Sequence, residues 1–177
     1  NVNYLPNHDR YFNIIDDNDK KRIIKDIIKR LGLSDVYKTP TVMWAINKAK
    51  TFSTTHKEAS NKVEFDFIDA FIEYERYLKK NNAMDFDDLL LYCYELLGVE
   101  EVAAKYRKKY TNLLVDEYQD TSEIQALILN KVKSDNSNLF IVGDVDQSIY
   151  GWRGAKIENI IGVEKEYKGT EIIKLEE

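Results

Sequence analysis

The sequence predicts an α/β protein: a helical module followed by a parallel sheet with helices packed on it. Three observations carry this. Residues 16–80 hold apolar side chains at three- and four-residue spacing, the period of helices with one buried face. Residues 113–115 and 139–142 are short, continuous apolar runs, as expected of strands buried on both faces. Between those runs lies a helical stretch, and strand–helix–strand with near-continuous apolar strands is the pattern of a parallel sheet. The change of character puts a boundary near residue 84, with the helical module over 1–84 and the α/β module over 85–177.

The helices follow in order. Asp16-Asp17-Asn18-Asp19 offers several N-caps for a helix carrying Ile23, Ile24, Ile27, Ile28 and Leu31, which Gly32 ends. Thr39-Pro40 is a cap and first-turn pair for a second helix, with Val42, Ile46 and Ala49 on one side. Thr55 and Glu58 have the spacing of a capping box, in a segment that also reads as a loop. Val63, Phe67, Phe71, Tyr74 and Leu78 form a single stripe on a third long helix. Asp85, Asp87 and Asp88 open a helix running from Leu89 to about Leu97. Carboxylates there cap free N–H groups and face the positive end of the helix dipole. A catalytic acidic cluster is the competing reading. In the second half, 113–115 and 139–142 are strands, 122–133 is the helix between them, and 171–175 is a third strand candidate.

Composition narrows the function classes. A chain of 177 residues, 44% hydrophobic and 32% charged, holds one ordinary domain, or a small domain plus part of another. There is no apolar run of about 18 residues and no charged leader before an apolar block, so no membrane segment is expected. The single cysteine, Cys93, lies in the apolar run 89–93 and reads as a small buried hydrophobe in a reducing cytoplasm. His8 and His56 have no Cys partners at ligand spacing, so no zinc site is expected. A net charge of −5 and a pI near 5.2 argue against holding DNA by bulk charge. Nucleic-acid contact then has to come from local patches or from stacking. The basic clusters Lys20-Lys21-Arg22 and 105–109 read as DNA-facing or, on the plainer view, as solvated helix faces.

Functional groups gather at the carboxyl ends of strands in open parallel sheets, and both apolar runs end in polar constellations. The first is Asp116-Glu117-Tyr118-Gln119-Asp120-Thr121-Ser122. An aspartate there can hold Mg²⁺, usually through water, while a neighbouring glutamate accepts a proton from an attacking water. Taken alone, the same acids also read as turn and cap residues. The second constellation runs from Val142 to Ala155. Gln147 can donate to a γ-phosphate without adding charge. Tyr150 and Trp152 flank Gly151 beside the cation Arg153, and aromatic faces stack on unpaired bases of any sequence. On the plainer view the two aromatics are core and Arg153 is a surface ion-pair partner.

Taken together, Asp-Glu-Tyr-Gln-Asp-Thr at 116–121 and Gly-Asp-x-Asp-Gln-Ser-Ile-Tyr-Gly-Trp-Arg-Gly-Ala at 143–155 resemble motifs II and III of the UvrD/Rep/PcrA (superfamily 1A) DNA helicases. The resemblance extends, more loosely, to Phe12–Asp16, to Ile46–Lys50 and to Asn82–Leu90. It implies that 1–84 is the helical subdomain 1B and that 85–177 is the second part of the RecA-like domain 1A, an incomplete P-loop NTPase sheet. It further implies that Asp116 helps hold Mg²⁺, that Glu117 activates the hydrolytic water, and that Gln147 senses the γ-phosphate of ATP. Tyr150, Trp152 and Arg153 are the implied contacts to single-stranded DNA and its junctions with duplex. For a whole family protein these parts imply ATP-driven translocation along one strand, 3′ to 5′, with unwinding.

Motors of this type need a Gly-rich loop ending in Gly-Lys-Thr or Gly-Lys-Ser to cradle phosphates. The seven glycines here are followed by Leu33, Val99, Asp144, Trp152, Ala155, Val163 and Thr170, never by lysine. Leu175-Glu176-Glu177 resembles the lead-in to motif IV, whose arginine does not follow. The expectation is therefore part of a helicase, inactive alone, whose incomplete sheet exposes edges and apolar faces and either self-associates through them or leaves part of that surface poorly ordered. A stand-alone, non-catalytic module binding DNA or a protein is the alternative. A Mg²⁺-dependent nuclease built on Asp116, Glu117, Asp144 and Asp146 is a third reading.

Overall fold

The structure, a computed structural model, describes residues 4–5 and 8–174. The helical part begins with β1 (Asn13–Ile15) and α1 (Asp17–Arg30). Asp16 caps α1, its side chain accepting the Asp19 N–H at 2.8 Å, and Gly32 beyond the helix takes φ +69°. Next comes α2 (Thr39–Thr51), whose N-cap is Lys38, so Thr39 and Pro40 both lie inside the first turn. Thr55 caps α3 (His56–Lys62) by accepting the Glu58 N–H at 3.1 Å. The Glu58 carboxylate reaches back to the Thr54 N–H rather than that of Thr55.

The stripe that reads as one long helix is bent. Val63 is extended, a 3₁₀ turn covers Phe65–Phe67, and α4 runs only over Ile68–Lys80. Val63, Phe67, Phe71, Tyr74 and Leu78 are all buried nonetheless, because the corner keeps their common side against α1 and α2. Ile23, Ile24, Ile27 and Ile28 of α1 and Val42, Ile46 and Ala49 of α2 complete this cluster. Each large side chain buried there contributes about 1.5–3 kcal/mol.

The return strand β2 (Ala83–Asp85) pairs in parallel with β1, Asn13 opposite Ala83 and Ile15 opposite Asp85. Three-residue strands so far apart in the chain leave no period to read. Asp85 then caps α5 (Phe86–Leu96) in a capping box with Asp88. Helix α5 packs on α2 and on the later helix at Glu123–Val132, so it touches both halves. Cys93 is half-buried in a small cluster around Leu97, Val102 and Ala103, where burial pushes its thiol pKa up.

Helix α6 (Glu100–Lys109) carries the basic run 105–109. Then β3 (Asn112–Val115), α7 (Glu123–Val132) and β4 (Asn138–Ile141) make the expected unit, with β3 and β4 parallel and Leu114 opposite Phe140. Burial alternates along both strands. Leu114 is 76% and Phe140 59% exposed, so these strands are covered on one face and bare on the other. Two short helices follow, α8 (Ile157–Ile161) and α9 (Val163–Glu166). Residues 171–174 form no strand, and Leu175, Glu176 and Glu177 lie outside the described residues. Among the described residues, no helix is long and apolar enough to cross a membrane.

Candidate functional site

The β3 strand delivers Asp116 and Glu117 to its carboxyl end, both exposed. Glu117 takes φ +51° and ψ +43°, a left-handed conformation that side chains with a Cβ adopt at a cost. Such strain concentrates where function requires it. The Asp116 Oδ1 accepts the Glu117 N–H at 2.9 Å, which leaves Oδ2 available at the strand end. Hard carboxylate oxygens facing water suit a hydrated Mg²⁺.

The β4 strand delivers Gly143 and Asp144 beside them. Asp144 accepts from the Asp146 N–H at 2.9 Å and from the Gln147 side-chain amide at 2.8 Å, which fixes Gln147 over this loop. One side chain that links the two loops is Gln119, which is 1% exposed. Its Nε2 donates to Glu117 Oε2 at 2.6 Å and its Oε1 accepts the Asp144 N–H at 3.0 Å. A Cβ at residue 143 would stand 2.6 Å from Gln119 Oε1 and 2.7 Å from Ile160 Cδ1, so glycine is what permits the approach. Sequence reasoning gave Gln119 no role, since a lone amide in a turn carries no periodicity.

The aromatic residues follow. Tyr150 leads into a 3₁₀ turn, Gly151–Arg153, and all of Tyr150, Trp152 and Arg153 are exposed, so the two aromatics are not core. The Arg153 guanidinium carbon lies 4.7 Å from the Trp152 ring centroid and 5.5 Å from that of Tyr150. Gly154, at φ +83°, closes the turn, and a Cβ there would meet Thr51 Cγ2 at 3.1 Å. Lys156 N–H donates to the Thr121 carbonyl at 2.9 Å, tying this loop to the one after β3. The result is a groove of about 1150 Å³. Tyr150, Trp152 and Arg153 line it together with Trp44 and Lys48 of α2, Phe52 just beyond that helix and Phe86 at the start of α5.

Asp85, Asp87 and Asp88 were legible as caps, and caps account for only part of them. Lys50, fully buried, places its ammonium 2.6 Å from Asp88 Oδ1, 2.8 Å from Glu75 Oε1 and 3.0 Å from Asp85 Oδ2. Lys20 and the Tyr74 hydroxyl also donate to Asp85 Oδ2, at 2.8 and 3.1 Å. Burial opposes the charge on Asp85, yet Lys50 and Lys20 hold its pKa well below the usual carboxylate range. Burial likewise opposes the charge on Lys50, and Asp85, Asp88 and Glu75 outweigh it and raise its pKa.

His56 bridges Asp88 and Glu95 at 3.0 and 2.9 Å. Burial favours its neutral form, but these two hydrogen bonds prevail and lift its pKa to about 9. Acids so enclosed are positioned to hold α5 against α1, α2 and α4, not to meet a substrate. Lys20 is accordingly not on a solvated face. It continues the Ile23–Ile27 stripe one turn back, the signal that marks it, and Lys50 continues Ile46 in the same way.

His56, Glu75 and Asp88 have ligand atoms within 4.8 Å of one another, and the Lys50 ammonium touches the two carboxylates of that group. Asp116, Glu117, Asp144 and Asp146 form no such group among the described residues.

Residues 2–168 match the UvrD/REP helicase N-terminal domain. The chain belongs to that helicase family. Relatives agree with the assignment. Over 175 residues it is 39% identical to the "ATP-dependent DNA helicase PcrA" of Staphylococcus aureus (strain Mu50 / ATCC 700699), covering 96% of this chain and 24% of the relative. The PcrA of Leuconostoc citreum is 35% identical over 172 residues, covering 94% of this chain and 23% of the relative. The chain thus spans about a quarter of the length of the UvrD/Rep-family proteins it matches. A mixed α/β chain with short parallel strand pairs is consistent with part of a RecA-like helicase domain.

Proposed function

We propose that this chain is part of the motor of an ATP-dependent DNA helicase, with residues 1–84 the helical 1B subdomain and 85–177 the second part of domain 1A. The observation that carries the reading is Gln119, whose one buried side chain touches both Glu117 and the Asp144 backbone. A motor that turns nucleotide state into movement on DNA needs such a connection between its two loops.

In this reading Asp116 helps hold the Mg²⁺ that accompanies ATP, and the ion supplies charge neutralisation at the phosphates. Glu117, oriented by Gln119, takes the proton of the attacking water. Gln147, whose side-chain amide donates to Asp144 at 2.8 Å, exchanges that bond for one to a γ-phosphate oxygen as a neutral donor. Tyr150, Trp152 and Arg153 stack on and pair with single-stranded DNA, at junctions with duplex as well as along the strand. The polarity is 3′ to 5′, the direction implied by the family resemblance. Because no glycine of these residues precedes a lysine, the chain alone binds DNA without hydrolysing ATP.

Fluorescence anisotropy with a labelled oligothymidylate tests the DNA half. Binding should favour the single strand over duplex and weaken at least fivefold in Arg153→Ala, a loss of about 1 kcal/mol or more. Equal affinity for duplex, or an unaffected Arg153→Ala, would remove the aromatic loop from DNA contact.

A further inference from the structure

The two tryptophans of the chain, Trp44 and Trp152, line the same groove. Both are exposed, at 56% and 70%. Each carries a cation. Lys48 Nζ lies 4.6 Å from the Trp44 ring centroid, as the Arg153 guanidinium lies 4.7 Å from that of Trp152. Phe52 and Phe86, also exposed, line the groove with them. An indole left in water on the solvent face of α2 contributes nothing to the core, whose side of that helix is Val42, Ala45, Ile46 and Ala49. Exposed apolar surface gathered in this way marks a binding surface.

The chemistry selects the occupant. Asp17, Asp87 and Asp120 also line the groove, which disfavours a ligand held by many phosphates at once. Aromatic planes with single cations beside them suit unpaired bases, which offer a π-face whatever their sequence. A duplex keeps those faces covered. The Lys48–Glu64 ion pair, 3.5 Å long and half-exposed on both sides, is weak enough to yield Lys48 to a phosphate. We propose that Trp44, with Lys48, is a second base-stacking platform, so that a single strand is gripped between α2 and the Tyr150–Arg153 loop. This rests on the reading that the loop meets single-stranded DNA.

With only two tryptophans, each single Trp→Phe variant leaves one reporter. The 177-residue chain is titrated with oligothymidylate of about 12 nucleotides, within the range such grooves cover. Binding is followed independently by the anisotropy of a label on the oligonucleotide. In Trp152→Phe the emission of Trp44 should be quenched along the binding curve, and Trp44→Ala should weaken binding about tenfold. Trp44 is exposed, so these variants keep the fold, checked by circular dichroism.

If Trp152 is quenched in Trp44→Phe while Trp44 stays silent in Trp152→Phe with binding retained, this inference fails and the proposed function stands. If neither reporter responds and the anisotropy does not change, both fail.

Discussion

The side-chain amide of Gln119 donates to the Glu117 carboxylate at 2.6 Å while its carbonyl accepts the Asp144 N–H at 3.0 Å. A buried group bonded at both ends is costly to disturb, on the order of 1–3 kcal/mol for each partner left bare. Gln119→Ala should therefore lower stability by about 2 kcal/mol. Gln119→Glu keeps the acceptor for Asp144 but sets a carboxylate against Glu117. Its deficit should shrink as pH falls below about 5, where carboxylates begin to protonate. Urea unfolding at two pH values reads both effects, and a wild-type midpoint for each variant would show that the bridge is dispensable.

Lys50 is the centre of the buried charge cluster. Lys50→Met removes the cation that Asp85, Asp88 and Glu75 share and leaves carboxylates without it in a dry site. Breaking such a cluster costs about 3–5 kcal/mol, a large share of a domain's usual stability. Thermal melting should show a variant that is largely unfolded at physiological temperature, and an unchanged melt would make the cluster ornamental.

His56 gives the cluster a pH dependence with a definite sign. Its pKa is raised from 6.5 to about 9 in the folded chain, so its contribution is full below about pH 6.5 and is lost as pH rises through 9. The shift corresponds to about 3 kcal/mol at most. Asp85 acts oppositely. Its depressed pKa gives stability present above the ordinary carboxylate range and lost on acidification. Stability should thus fall between pH 6.5 and 9 in the wild type, and His56→Gln should flatten that limb, as followed by urea midpoints across the range.

Leu114 and Phe140 face each other across β3 and β4 on the bare side of the sheet. We expect this face to drive self-association when nothing else covers it. Sedimentation should show mass rising with concentration, and Phe140→Thr should shift the chain toward monomer without loss of helix content. A strict monomer at high concentration would contradict this.

The sequence made some elements plain and hid others for physical reasons. The α1 and α2 stripes and the β3–α7–β4 unit were readable because one buried face imposes a period over many residues. The β1–β2 pair was not, since three residues carry no period and pairing across the whole helical part is a tertiary choice. The bend at Val63–Phe67 escaped because a corner can preserve the buried side while breaking the helix. At the candidate site, Asp116, Glu117, Gln147, Tyr150, Trp152 and Arg153 each had a plainer reading alone and stood out only through their joint resemblance to the helicase motifs. Gln119, Lys20 and Lys50 did not, because a buried polar group declares itself through its partners. The two lysines did sit on apolar stripes, which was the one clue available.

The proposed role of Glu117 is that of the water-activating acid of an ATP-driven DNA motor. It is tested most directly by ATP hydrolysis, with and without single-stranded DNA, for this chain beside a longer protein that carries it together with a phosphate-binding loop. The 177-residue chain should show no hydrolysis, the longer protein should hydrolyse ATP with stimulation by DNA, and Glu117→Gln should lose that activity with DNA binding retained. Hydrolysis that survives Glu117→Gln, or a longer protein that binds DNA and never hydrolyses ATP, would contradict it.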